Sequence, residues 1–270
     1  MPQGRHRAKK SLGQNFLIDP NLQRKIVAAL EADPEDRVIE IGPGQGALTH
    51  HLAASVGGLV LVELDDALAQ ALTKTFADDD RVDVVHADVL EVELASLVPD
   101  LSDTLVIGNI PYNITTPILF RLLERPRPRR IVLMVQEEVA DRIVAPVGTK
   151  SYGALSVGVR LVGHAEKLFR VRRGSFRPVP GVDSAVIRIE PRQDDALEPA
   201  VESATRTLVR AAFQWRRKQL GTTLKGHPDL GLSPDEMSAF LGGAGIDPTT
   251  RPERLSPEQF QLLGRALVAR

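Results

Sequence analysis

The 270-residue sequence contains no cysteine, only two tyrosines and one tryptophan, and no long apolar run. The absence of cysteine excludes disulfide scaffolds, cysteine-ligated zinc, iron–sulfur clusters and every mechanism with a thiolate nucleophile, including attack on C6 of a pyrimidine base. No stretch reaches the ~20 apolar residues of a membrane span. The residues after the basic N-terminus are too polar for a signal peptide. We therefore expect a cytoplasmic protein without a membrane partner.

The charge is close to balanced overall, but it is unevenly distributed. The formal net charge is −1, with 34 lysines and arginines against 35 acidic residues. Most of the basic residues, and very few acidic ones, lie in segments 1–25, 121–130, 160–177 and 205–218. These segments are either solvated surface or a basic footprint for a phosphate backbone, and the footprint requires them to converge in space.

The chain changes character at about residue 192. Before that point, short apolar runs alternate with helical patterns, at 37–41, 59–63, 82–86, 104–108, 131–136 and 185–190. This alternation predicts parallel strands of a doubly wound α/β sheet. After it only helical patterns remain, with Ser-Pro-x-Glu/Gln capping boxes that begin at Ser233 and Ser256. We predict a catalytic domain over 1–192, with a basic arm over 1–18, and a smaller all-helical domain over 193–270.

A glycine-rich turn follows the first of these strands directly. Residues 40–49 read Glu-Ile-Gly-Pro-Gly-Gln-Gly-Ala-Leu-Thr, in which Gly42 and Gly44 allow the backbone to approach a ligand closely. Glu63, at the end of the second strand, is positioned to bind a ribose diol. These features fit an NAD site, an S-adenosylmethionine site, or glycines that serve only close helix–sheet packing.

Two further sites at strand ends favour S-adenosylmethionine. Asp88 follows the third strand, where its carboxylate can accept a hydrogen bond from an adenine amine. Residues 109–112 follow the fourth strand and read Asn-Ile-Pro-Tyr. This sequence resembles the [DNS]-P-P-[FYW] motif of enzymes that methylate exocyclic amines of nucleobases. An NAD dehydrogenase would leave both features unexplained.

The chemistry of amine methylation accounts for these residue types. The N6 amine of adenine is a poor nucleophile because its lone pair is delocalised into the ring. The side-chain carbonyl of Asn109 and the backbone carbonyl of Ile110 or Pro111 can accept its two hydrogens and aim the lone pair at a methyl donor. Pro111 fixes the turn, and Tyr112 can stack on the extruded base, a contact of about 1–3 kcal/mol.

On this basis the chain resembles the small-subunit ribosomal RNA adenine dimethyltransferase family. Members of that family use S-adenosylmethionine to dimethylate two adjacent adenines in the 3′-terminal hairpin of 16S rRNA, and they take part in small-subunit biogenesis. The matching motifs run almost from end to end and occupy residues 12–17, 40–44, 62–65, 109–117, 136–139, 152–157 and 176–186. The implied fold is a Rossmann-like methyltransferase sheet with a smaller C-terminal helical domain.

The resemblance implies individual roles for the matching cofactor residues. Asn15 and Leu17 lie over the cofactor, Gly42 contacts its amino-acid part, Glu63 its ribose and Asp88 its adenine amine.

The resemblance also implies a pocket for the target base. Asn109 stands between the cofactor and that base, and Phe176 forms a second aromatic wall opposite Tyr112.

The implied partner is 16S rRNA or a small-subunit precursor, bound by a monomer. The expected RNA-binding residues, drawn from the basic segments and from the family's Phe-x-x-Arg-Arg-Lys stretch at 213–218, are Arg5, Arg7, Lys9, Lys10, Arg172, Arg173, Arg216, Arg217 and Lys218. The sequence departs from the family's pattern at 221–223, where Gly-Thr-Thr stands in place of the expected polar helical residues.

Two alternative functions share much of this pattern. A 23S rRNA methyltransferase that confers macrolide resistance has the same core motifs, and the small-subunit family is favoured by residues 113–117 and 152–156. A largely non-catalytic assembly factor keeps the fold without turnover. The six histidines show no metal-ligand spacing, so no metal is expected, and Asp65 and Asp66 are interpreted as solvated loop charges.

Overall fold

The computed structural model describes Lys9 and residues 12–193, 197–215 and 218–270. The chain forms two compact units. The first comprises residues 1–140 and 165–193, and the second comprises 141–164 and 194–270.

The first unit is organised around a mixed β-sheet. The strands of the described residues are β1 (Phe16–Leu17), β2 (Arg37–Ile41), β3 (Gly58–Glu63), β4 (Val82–His86), β5 (Leu105–Asn109), β6 (Arg130–Gln136), β7 (Gly163–Val171), β8 (Phe176–Arg177) and β9 (Ser184–Pro191). Seven of them form one sheet in the order β4-β3-β2-β5-β6-β9-β7, and β1 pairs with β8. The Rossmann-like α/β class expected from the sequence is confirmed.

Strand β9 corrects one sequence prediction. Strands β4, β3, β2, β5 and β6 pair in parallel, as expected, but β9 runs antiparallel to β6, with Ser184 opposite Gln136. The segment that leads into β9, residues 172–183, contains no α-helix that could serve as a parallel crossover. Strand β7 was not predicted, because its alternating polar residues show no continuous apolar run.

The α-helices of the described residues are α1 (Pro20–Ala28), α2 (Thr49–Ala53), α3 (Asp66–Thr75), α4 (Thr115–Leu122), α5 (Glu137–Ile143), α6 (Ala154–Arg160), α7 (Pro199–Phe213), α8 (Leu220–Leu224), α9 (Pro234–Gly243) and α10 (Pro257–Val268). The helix starts predicted at Ser233 and Ser256 are confirmed. Asp19 caps α1 by accepting the backbone N–H groups of Asn21 and Leu22, and Ser233 and Ser256 form capping boxes. None of the helices that the structure describes is long and apolar enough to cross a membrane.

The second unit includes a segment that the sequence assigned to the first domain. The division at residue 193 lies next to the expected boundary at 192, but residues 141–164 belong with the C-terminal helices. The buried Tyr152 explains why. Its hydroxyl donates to the Leu255 carbonyl at 2.9 Å, and its ring packs edge-on against Phe213 at a centroid distance of 6.2 Å. These partners are remote in sequence, so no local pattern indicates the attachment.

The sheet core positions the functional residues at the ends of its strands. Val38, Leu61, Leu105 and Ile107 are fully enclosed in the main apolar cluster. At the end of β5, Gly108 lies against β2 so closely that a Cβ atom there would be 2.8 Å from the Ile41 carbonyl oxygen. A side chain at this position must therefore displace the backbone.

Gly108→Ala is expected to lower the free energy of unfolding by about 1–3 kcal/mol, because the added methyl group overpacks the β2–β5 contact. Urea titration followed by circular dichroism measures the change. The matched control is Gly181→Ala, where an added Cβ meets nothing within 4 Å, and we expect no loss of stability there. Equal stability of the two variants would contradict this packing argument.

Candidate active site

A cavity of about 230 Å³ opens at the carboxyl edge of strands β2 to β5. Ligands of open α/β sheets bind at this edge. The structure brings nine of the predicted site residues to the cavity wall: Asn15, Leu17, Gly42, Gly44, Glu63, Asp88, Asn109, Pro111 and Tyr112.

The turn after β2 needs its glycines. Gly42 and Gly44 have φ angles of 64° and 59°, in the left-handed region that strains most other residues. A Cβ atom at Gly44 would also lie 3.2 Å from Cε1 of Phe16, a tight contact that requires the ring to shift. The turn therefore presents bare backbone to the cavity.

Glu63 is buried beside this turn and is hydrogen-bonded to it. Its two carboxylate oxygens accept the backbone N–H of Gly44 at 2.9 Å and of Asp65 at 2.8 Å. Burial raises the pKa of Glu63, and these two N–H donors oppose part of that rise. Each oxygen keeps a further lone pair, so the carboxylate can still accept both hydroxyls of a ribose.

Asp88 follows β4, on the far side of β3 from the glycine turn. Its Oδ1 accepts the Leu90 backbone N–H at 2.8 Å. The apolar side chains of Val89 and Leu90 line the cavity beside it. A carboxylate next to an apolar wall suits the amine and the ring of an adenine.

Glu40 lies beneath the turn and was not singled out from the sequence. It is only 1% exposed, and its Oε2 accepts the Thr49 hydroxyl at 2.7 Å. Burial raises the pKa of Glu40 to about 8, the Thr49 hydrogen bond lowers it somewhat, and the nearby Glu63 adds to the rise. Its position at the end of a buried strand was the available sequence signal.

The N-terminal segment is bound to the end of β5. The Asn109 side-chain amide donates to the Asn15 backbone carbonyl at 3.1 Å, and the Asn15 amide donates to the Gly13 carbonyl at 3.0 Å. Leu17, in β1, pairs with Phe176 in β8. This arrangement leaves the Asn109 Oδ1 oxygen as the acceptor at the cavity.

The contacts between the N-terminal segment and Asp65 correct the interpretation of Asp65 as a solvated charge. Asp65 is 1% exposed and caps helix α3. Its Oδ2 accepts a hydrogen bond from the Gln14 side-chain amide at 3.0 Å and forms an ion pair with the Lys9 amine at 3.0 Å. Burial alone would raise the pKa of Asp65, but the bonds from Lys9 and Gln14 outweigh it and hold the pKa below its ordinary value. An aspartate before a helix is an N-cap signal that the sequence already carried.

The Asn-Ile-Pro-Tyr turn completes the wall. Pro111 has a φ angle of −59°, Ile110 is buried, and the half-buried Tyr112 ring lines the cavity. The Tyr112 hydroxyl and the Ser184 Oγ share a hydrogen bond of 2.6 Å. Burial raises the pKa of Tyr112, so its phenol stays protonated near neutral pH.

Phe176 is buried and lies apart from the cavity wall in this structure. Its side chain has no exposed surface, belongs to the apolar cluster of the sheet and does not line the cavity. The pairing of β8 with β1 holds it inward. The structure therefore does not present Phe176 as an open wall opposite Tyr112, and its contact with a base stays a prediction.

The predicted RNA-binding residues fall into three groups. Arg172, Arg173 and Lys218 are exposed. Lys9 is about half exposed, but its amine pairs with Asp65. The others lie outside the described residues: Arg5, Arg7, Lys10, Arg216 and Arg217.

One basic segment serves the fold itself. In segment 121–130, Arg121 pairs with Glu93 and Glu124, and Arg129 pairs with Asp36 at 2.6 Å. These arginines are occupied by ion pairs within the first unit. Among the residues that the structure describes, no group of three or more histidine, aspartate or glutamate side chains could hold a metal ion.

The donors and acceptors along this edge fit one elongated ligand. Asp88 can accept an adenine amine, Glu63 a ribose diol, and the glycine turn can approach an amino-acid group, in the order of adjacent strands β4, β3 and β2. Asn109 follows on β5. The fold and the site together define a Rossmann-like, S-adenosylmethionine-dependent methyltransferase, and the NAD interpretation is dropped.

Comparison with known proteins identifies the family. Residues 5–264 match the family described as Ribosomal RNA adenine dimethylase. The chain is 44% identical over 266 residues to Ribosomal RNA small subunit methyltransferase A of Geobacter metallireducens, which covers 97% of this chain and 96% of the relative. The chain therefore belongs to the ribosomal RNA adenine dimethylase family, and the resemblance inferred from the sequence is confirmed.

Two solved structures are similar over most of the chain. A dimethyladenosine transferase from Plasmodium falciparum has a TM-score of 0.79 and 25% identity, covering 92% of this chain and 95% of that one. The 23S rRNA methyltransferase ErmE has a TM-score of 0.69 and 29% identity, covering 94% of this chain and 100% of that one. Both support the methyltransferase fold.

Glu40→Gln is expected to change how stability depends on pH. The raised pKa means that folded Glu40 keeps its proton at pH values where the unfolded chain has lost it, so its contribution to stability is full below about pH 4.5 and is lost as the pH rises through about 8. The glutamine variant lacks this loss. Urea unfolding at pH 5 and pH 8.5 should show a wild-type decline that exceeds the variant's by a few kcal/mol. Parallel declines would contradict the assigned pKa.

Proposed function

We propose that this protein transfers methyl groups from S-adenosylmethionine to the N6 amines of two adjacent adenines in the 3′-terminal hairpin of 16S rRNA, as part of small-subunit biogenesis. The observation that carries the proposal is the Asn-Ile-Pro-Tyr turn, residues 109–112, at the wall of a cavity that Glu63 and Asp88 also line. Membership of the rRNA adenine dimethylase family supports an rRNA substrate.

The chain's own residues act by orienting the amine. S-adenosylmethionine, when bound, supplies a methyl group already activated by the sulfonium charge. The Asn109 Oδ1 oxygen and a backbone carbonyl at Ile110 or Pro111 accept the two N6 hydrogens, so that the nitrogen lone pair points to the methyl group. The bond from the Asn109 amide to Asn15 fixes which end of the side chain faces the base. Tyr112 supplies a stacking surface for that base.

Small-subunit RNA is the better supported substrate. The curated relative named for the small subunit is more similar to this chain than the solved 23S enzyme is. The 23S function remains the alternative to exclude, because both classes share the core motifs. A non-catalytic assembly role alone is not favoured, because Asn109, Pro111 and Tyr112 are all present at the cavity.

RNA contacts outside the pocket are part of the proposal. Arg172 and Arg173, exposed between β7 and β8, and Lys218 in the second unit are available to phosphates. The arm residues Arg5, Arg7 and Lys10, with Arg216 and Arg217, are proposed on their sequence positions alone. A 16S rRNA substrate implies a cytoplasmic enzyme, and we expect it to act as a monomer.

Incubation with a methyl donor and either immature small subunits or protein-free 23S rRNA tests the function. We expect dimethyladenosine only in the 16S 3′ hairpin, measured by mass spectrometry of rRNA fragments. Asn109→Ala should abolish transfer and leave RNA affinity within a few-fold, whereas the control Asn21→Ala, on the exposed start of α1, should behave as wild type. Label in 23S rRNA alone would overturn the substrate, and loss of RNA binding in Asn109→Ala would overturn the role of Asn109.

Arg172→Ala is expected to weaken binding of the hairpin RNA a few-fold. The slope of log affinity against log salt concentration should become shallower by about the amount that one lost phosphate contact accounts for. Fluorescence anisotropy of a labelled hairpin over a salt series gives both quantities. The control is Lys74→Ala, an exposed lysine of α3 that lies outside the four basic segments. An unchanged salt dependence in Arg172→Ala would remove this residue from the RNA surface.

A further inference from the structure

The hydroxyl of Tyr112 has no part in the proposed mechanism, which uses only the face of the ring. That hydroxyl nevertheless makes a close hydrogen bond, 2.6 Å to the Ser184 Oγ. Ser184 has no exposed surface, while the Tyr112 ring lines the cavity. A buried serine hydroxyl therefore bonds to the outer end of the side chain on which the target base is expected to stack.

We propose that Ser184 is a positioning residue that holds the Tyr112 ring in its base-stacking orientation through this hydrogen bond. The inference rests on the proposed function, since it assigns the geometry of the same pocket. It concerns a residue remote from the Asn-Ile-Pro-Tyr turn in sequence and on a different strand.

The position of Ser184 is fixed by the sheet. It begins β9 and lies opposite Gln136 at the end of β6. The preceding carbonyl, of Asp183, accepts the Glu137 backbone N–H at 3.0 Å. The start of β9, where Ser184 lies, is thus paired with the end of β6 and hydrogen-bonded to the first residue of α5.

The Asp183 side chain also helps to fix the start of β9. Its carboxylate accepts the Arg173 backbone N–H at 2.8 Å and the guanidinium of Arg170 at 2.5 Å. The Arg173 N–H and the Arg170 guanidinium hold the pKa of Asp183 below its ordinary value, so the Asp183 carboxylate is charged near neutral pH. Arg170 also forms an ion pair with Glu137 at 3.0 Å, and this pair links Asp183 to the start of α5 through Arg170.

Anchoring at both ends restricts the ring. At its backbone end, Tyr112 follows Pro111, whose φ is −59°, and the buried Ile110. At its outer end the hydroxyl is bonded to Ser184. A ring held at both ends has less conformational freedom to lose when a base stacks on it, and small errors in orientation are costly to a transfer that requires an aligned lone pair.

Three variants test the inference: Tyr112→Phe, which keeps the ring and removes its hydroxyl, Ser184→Ala, and the double variant. We expect each single change to lower kcat about tenfold, the rate equivalent of one lost hydrogen bond. The double variant should be no slower than either single variant, because all three lack the same bond. KM for the RNA and the affinity for S-adenosylhomocysteine should stay within about twofold of wild type.

The second unit supplies matched controls. Tyr152→Phe also removes a tyrosine hydroxyl that is hydrogen-bonded, here to the Leu255 carbonyl, and Ser156→Ala removes a buried serine hydroxyl bonded to the Arg142 carbonyl. Both controls should lose stability in urea and keep the wild-type kcat. They separate a general loss of packing from a loss of orientation at the pocket.

The outcomes are distinguishable from those of the proposed function. If the wild type is active and Ser184→Ala has the same kcat, this inference alone is overturned. It is also overturned if the fold-loss of kcat in the double variant equals the product of the losses in the two single variants. A wild type that dimethylates no adenine of the 16S hairpin overturns the proposed function and this inference together.

Discussion

The parallel alignment of β4, β3, β2 and β5 is the constraint on which the site depends. Because these neighbours run in one direction, the residues that follow their carboxyl ends meet at one edge. At Gly108, β5 lies so close to β2 that a Cβ atom would be 2.8 Å from the Ile41 carbonyl oxygen. Asn109 is thereby set beside the glycine turn, although the two are separated in sequence by two strands.

The three buried carboxylates near the cavity show how partners decide the state of a charge. Glu40 has a neutral hydroxyl as its side-chain partner, and burial prevails, so its pKa is raised. Asp65 is similarly enclosed but meets the Lys9 amine, and its pKa is lowered. Glu63 is held by two backbone N–H groups and keeps a raised pKa. The N-terminal segment thus contributes a charge as well as a wall to the site.

The near-zero net charge conceals different uses of arginine. Arg121 and Arg129 pair with carboxylates that lie far from them in sequence, so part of the positive charge of this basic segment is used within the fold. Arg172 and Arg173 are exposed and suit a polyanion better. The exposure and partners of each side chain, and not its place in a basic segment, separate a structural arginine from a candidate for RNA contact.

The sequence by itself determined the α/β class, most strand bounds, the capped helix starts, the glycine turn and the Asn-Ile-Pro-Tyr turn. These features depend on local periodicity, on backbone conformations that only certain residues adopt, and on motifs of contiguous residues. Tertiary structure decided the reversal of β9, the attachment of residues 141–164 to the second unit, the burial of Phe176 and Asp65, and the bond between Tyr112 and Ser184. Each of these depends on contacts between residues distant in the chain, so packing and not local sequence sets the burial and the hydrogen-bond partners.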